Sequence, residues 1–136
     1  MSIPELCALP IRDLLEPDAV LFLWVTSPLL FDCLPVITAW GFDYRASFVW
    51  DKVKHNMGHY NSVRHEFLLV CVRGSCQPDV STLYDSVVSE ERTGHSVKPA
   101  SFRALIDTLY PHGRRLELFA RALTSGWDTY GYEAPV

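Results

Sequence analysis

"AVLFLWVT", Ala19 to Thr26, is an almost unbroken run of apolar residues, rich in β-branched and aromatic side chains. A strand with one wet face alternates polar and apolar residues. A run without alternation belongs to a strand covered on both faces, the habit of parallel sheets. The reading therefore makes Ala19–Thr26 a central strand.

Working outward, "MSIPELCAL" places Ser2 and Glu5 at capping-box spacing with Pro4 in the first turn, so a short helix opens the chain. "SPLLFDCLPVITAWG" predicts a helix from Ser27 to Trp40, closed by Gly41 and kinked at Pro35. "YRASFVWD" and "HEFLLVCVRG" read as the second and third strands, joined by a polar loop from Lys52 to Arg64. "YDSVVSEER" suits a short exposed strand. Pro99 then precedes Phe102, Leu105, Ile106 and Leu109 at helical spacing, and "RRLELFA" is the last strand.

Strand, helix, strand, strand, helix, strand predicts an α/β fold, a mostly parallel sheet with helices on both faces and room for one reversed strand. Ligands in such folds sit beyond the carboxyl ends of the strands. That rim would gather Thr26, Asp51, Lys52 and the segment 119–124.

The 136 residues are 49% hydrophobic and 21% charged, which suits one globular domain over residues 1–136. A net charge of -4 gives no broad basic field, so any nucleic-acid contact has to be local. The four cysteines form no CxxC pair and no signal-peptide pattern opens the chain, which predicts reduced thiols and a cytoplasmic setting, or a nuclear one in a eukaryote. No apolar stretch reaches the roughly 20 residues of a membrane span. His55, His59 and His65 lack a cysteine or carboxylate to complete a metal set, and no paired carboxylates, nucleophile elbow or phosphate-binding glycine loop supports hydrolysis. Trp24, Trp40 and Trp50, inside apolar runs, read as core.

"VLFLWVT", "FVWDK", "HEFLLVCVRG", "HSVKP", "LELFAR" and "GWDTYGYE" occur here in an order and spacing that resemble the MT-A-seventy family. The resemblance covers Met1 to Glu133. It implies a Rossmann-like methyltransferase fold and transfer of a methyl group from S-adenosylmethionine to the exocyclic amine of adenine in RNA or DNA. The family's DPPW tetrapeptide has no counterpart, since no two prolines are adjacent in this sequence. The chain is thus expected to match a family member without its N-terminal strands and catalytic tetrapeptide. That leaves three readings: an adenine methyltransferase or a fragment of one; a catalytically silent member that serves as a nucleic-acid-binding or scaffold subunit for an active partner; and a truncated product of low stability with no activity of its own.

By the same resemblance, Lys98 pairs with the cofactor carboxylate, Phe119 packs on adenosine, and Arg121, Thr124, Tyr132 and Glu133 complete the cofactor wall. Tyr132 stands where the family has asparagine. Lys52, His59, Tyr60 and Arg64 would touch the adenine-bearing nucleic acid, although by residue type alone they are also what a polar loop contains. A mid-sheet gap left by the absent strand would be closed by a homodimer, or a heterodimer with a related subunit.

Overall fold

The computed structural model describes residues 2–94, 97–119 and 126–130. Helix α1 (Ile3–Ala8) carries the expected capping box. The Glu5 amide donates to Ser2 Oγ at 3.2 Å and the Ser2 amide donates to Glu5 Oε1 at 3.3 Å. Strand β1 (Ala19–Val25), helix α2 (Leu34–Ala39), strands β2 (Asp43–Met57), β3 (Ser62–Arg73) and β4 (Val87–Ser89), helix α3 (Ala100–Leu109) and strands β5 (Arg115–Leu118) and β6 (Trp127–Tyr130) follow.

The helix expected over Ser27–Trp40 is divided. Ser27–Leu29 forms a 3-10 turn, and α2 begins only at Leu34. Pro35 does not kink this helix but lies in its first turn, where a missing N–H costs nothing. Past its C-terminus, Gly41 takes φ 85°, a left-handed conformation open to glycine. Arg12 completes this end by donating from Nε to the Ala39 carbonyl at 2.9 Å and from Nη2 to that of Thr38 at 3.3 Å. A cation also opposes the negative end of the helix there.

Four strands form one sheet in the order β1-β3-β2-β4. Strand β3 runs antiparallel to both β1 and β2, and only β4 is parallel to β2. The expectation of a mostly parallel sheet with β1 at its centre is therefore corrected: the sheet is mixed, its two long ladders are antiparallel, and among the described residues β1 is an edge strand. The physical reason lies in what an unbroken apolar run encodes. It reports that both faces are covered, not which way the neighbouring strand runs.

Both faces of β1 are indeed covered. Leu21, Leu23 and Val25 belong with Phe67, Leu69 and Cys71 to a core shared with Leu6, Ile11, Val36, Ile37 and Trp40. Phe22 and Trp24 face the other way, joining Phe48, Trp50 and Leu68 against Phe102, Leu105 and Ile106 of α3. Alternate residues of the same strands thus feed two cores, and helices lie on both faces as the sequence predicts. Trp40 and Trp50, each 2% exposed, anchor the two cores. Strands β5 and β6 pair with each other, parallel, in a separate sheet; Leu118 and Tyr130 pack against the α1–α2 core.

The segment from Lys52 to Arg64, expected as a loop, is mostly strand. Strands β2 and β3 continue as a hairpin to its tip, where the Gly58 amide donates to the Asn61 carbonyl at 2.9 Å. The ladder is interrupted between Asp51 and Asn56 by a bulge, at which Val53 takes φ 68°.

Candidate functional site

Glu66 lies on β3, opposite Trp50 in the ladder and one rung beyond the end of β1. It is 4% exposed, and among the described residues it is the one buried charged side chain. A lone buried carboxylate would be strongly unfavourable, so it must be compensated. Two lysines do this. Lys98 Nζ donates to Glu66 Oε1 at 2.6 Å, and Lys52 Nζ lies 3.1 Å from Oε2.

Each lysine also rests on an indole. Lys98 Nζ is 5.2 Å from the Trp24 ring centroid, and Lys52 Nζ is 5.1 Å from that of Trp50. Trp24 itself contacts Trp50 and Phe102 edge-on at 5.9 and 5.1 Å. The tryptophans are core, as expected, and at the same time they seat the two cations. The Trp50 indole N–H is satisfied by the Glu90 carbonyl at 2.7 Å. The result is a wall of two cations and one anion, with a net charge of +1. Lys98 is its most accessible member, its side chain 33% exposed against 15% for Lys52 and 5% for Glu66.

Beside this wall, Asp51 fixes the start of the bulge. Its Oδ1 accepts from the Val53 amide at 2.9 Å, and its Oδ2 accepts from Ser89 Oγ at 2.9 Å and from Arg64 Nη2 at 3.0 Å. The Val53 N–H, then the Ser89 hydroxyl and Arg64, hold its carboxyl below the usual aspartate range. Arg64, expected to meet substrate, therefore braces the hairpin through Asp51. His59 and Tyr60 stand exposed at the tip. At about 3.3 Å per strand residue they lie roughly 20 Å along the hairpin from Lys52.

Lys52 and Lys98, assigned from sequence to opposite sides of a reaction, are brought together on one carboxylate. Phe119 follows β5 with φ 60° and donates its amide to the Tyr130 carbonyl at 2.8 Å; among the described residues no hydrogen bond or ring contact ties it to the lysine cluster. Arg121, Thr124, Tyr132 and Glu133 lie outside the described residues. Sequence reasoning missed Glu66, although a carboxylate heading the apolar run "EFLLVCV" was a visible signal.

The MT-A70 family model matches residues 1–133. The chain belongs to the MT-A70 family. Among curated proteins it is similar to the Type II methyltransferase M.MunI of Mycoplasma sp, with 34% identity over 99% of this chain and 59% of that protein. It is also similar to the human N(6)-adenine-specific methyltransferase METTL4, with 30% identity over 92% of this chain and 30% of that protein. Human N(6)-adenosine-methyltransferase catalytic subunit METTL3 is 29% identical over 86% of this chain and 22% of that protein. This MT-A70 chain thus spans little more than half of the first relative and under a third of the other two. Among the described residues no helix is long and apolar enough to cross a membrane.

Proposed function

We propose that this MT-A70 chain forms the cofactor half of an adenine methyltransferase, a single partial domain that binds S-adenosylmethionine for modification of the exocyclic amine of adenine in RNA or DNA. The observation that carries the reading is the position of Lys98. It lies in the "HSVKP" motif, inside the family match, and belongs to a cluster with net positive charge.

The donor set suits the amino-acid end of the cofactor. Among the described residues Lys98 gives one of its three N–H groups to Glu66, leaving others for an incoming carboxylate. It also stands two residues before α3, whose amides and dipole favour an anion. The bound cofactor would supply the electrophilic methyl group. The chain's own task is to hold the amino-acid end at Lys98 and, by family resemblance, the adenosine end near Phe119, Arg121, Thr124, Tyr132 and Glu133. Lys52 would be shared between the cofactor wall and the base of the substrate hairpin. His59 and Tyr60 at the tip would meet nucleic acid, locally, as the overall charge requires.

A second reading makes the chain a silent scaffold for an active partner. The outer edge of β1, unpaired among the described residues, supports association with a second copy or a related subunit through strand addition. Light scattering would read that state directly.

Calorimetric titration with S-adenosylmethionine tests the main reading. Saturable binding is expected, and Lys98→Ala should weaken it by about 1 to 3 kcal/mol, the range for losing a charge-assisted hydrogen bond. A wild-type chain that takes up no cofactor at millimolar concentration would sink it.

A further inference from the structure

Glu66 poses a question that cofactor binding does not answer by itself. A site for an anion gains Coulomb attraction from every cation, yet here a carboxylate is buried between the two lysines and cancels one of them. Electrostatics alone would favour a neutral residue at position 66. Geometry gives the carboxylate a use. A lysine on a flexible four-carbon stem has many rotamers, and fixing it costs side-chain entropy. Glu66 fixes both lysines at once, one on each oxygen, and each ammonium is further confined by an indole face.

We propose that Glu66 is a positioning residue: it holds Lys98, braced against Lys52, at one place and orientation, so that the remaining Lys98 donors are aimed at the carboxylate of an amino-acid-bearing ligand. This rests on the reading of Lys98 as the carboxylate partner of S-adenosylmethionine. Trp24 and Trp50 set the sides of the arrangement, and the β3 backbone sets its base. Preorganisation replaces raw charge, because the rotamer restriction is met during folding and not at binding.

The idea separates from simple electrostatics by sign. Glu66→Gln keeps the size of the side chain and raises the local charge from +1 to +2. Charge alone predicts tighter binding of a carboxylate; loss of positioning predicts weaker binding. The ligands to compare are S-adenosylhomocysteine, which has the amino-acid arm, and 5′-methylthioadenosine, which lacks it. In Glu66→Gln, affinity for S-adenosylhomocysteine should fall about tenfold, within the range for a charge-assisted hydrogen bond, while that for 5′-methylthioadenosine stays unchanged. Unchanged or tighter binding of S-adenosylhomocysteine would overturn the proposal, and so would an equal loss of both ligands by a folded variant.

Should the single variant fail to fold, Lys52→Met/Glu66→Gln restores the net charge of +1 with Lys98 alone. A selective loss of S-adenosylhomocysteine affinity is again expected, and wild-type affinity would overturn the proposal. A wild-type chain that binds neither ligand overturns the cofactor reading itself, whereas one that binds both without responding to Glu66→Gln overturns only the role of Glu66.

Discussion

Glu66 Oε1 accepts a 2.6 Å hydrogen bond from Lys98 Nζ across 32 residues of chain, joining β3 to the segment that leads into α3. Because the other oxygen holds Lys52, removing the carboxylate leaves two cations facing each other in a largely buried space. Glu66→Ala should lower the unfolding free energy by about 3 kcal/mol, the low end for breaking a buried pair, because Lys98 remains a third exposed. Lys52→Met/Glu66→Leu/Lys98→Met should recover most of it. Urea denaturation of the variants measures both effects. A triple variant no more stable than Glu66→Ala would show that the loss came from packing and not from stranded charge.

Asp51 makes the hairpin sensitive to acid. The Val53 amide, the Ser89 hydroxyl and Arg64 all favour its ionised form, so its folded pKa lies below the ordinary 3.8. A depressed carboxylate contributes stability that is present above its unfolded pKa and is lost as pH falls through the folded one. Asp51→Asn should therefore be less stable than the wild type near neutrality, with the difference shrinking as pH drops below 3.8. Chemical denaturation at several pH values reads this. A difference constant with pH would mean that the contacts to Asp51 do not depend on its charge.

Tyr110 responds at the other end of the scale. Its hydroxyl donates to the Cys76 carbonyl at 2.8 Å, and its ring meets Phe22 edge-on at 6.0 Å. Burial, with smaller contributions from Cys76 and Asp79, pushes the phenol up to about 12. The folded chain holds this proton longer than the unfolded chain, so stability is full below an unfolded pKa near 10 and falls as pH rises toward 12. Ultraviolet titration should show a tyrosine that ionises toward pH 12, and Tyr110→Phe should remove that step. The same substitution should cost about 1 kcal/mol near neutrality, through the lost hydrogen bond.

How much of this could be read from the sequence depends on the range of the interaction. The Ser2–Glu5 cap, the apolar face of α3 and the stop at Gly41 are local, and each was legible because its determinants lie within one or two turns. Strand direction was not legible. The run from Ala19 to Val25 fixes that both faces are buried, but whether β3 runs with or against it depends on partners some fifty residues away. Lys98 and Lys52 were each singled out by family resemblance, but their meeting was invisible. It depends on Glu66, whose burial follows from the register that sets it opposite Trp50.

The hairpin of β2 and β3 also makes one contact of the cluster more local than the other. Its turn at Gly58–Asn61 closes a short loop, whereas Lys98 reaches Glu66 only when a much longer one closes, and the entropy of closure grows with loop length. Glu66 and Lys52 are therefore expected to meet first, on the more local element, with Lys98 joining them when the longer loop closes. Under stopped-flow refolding, substitutions along the hairpin should slow folding, while Lys98→Ala should act mainly by speeding unfolding. The residue that closes the longer loop is the one proposed to face the ligand.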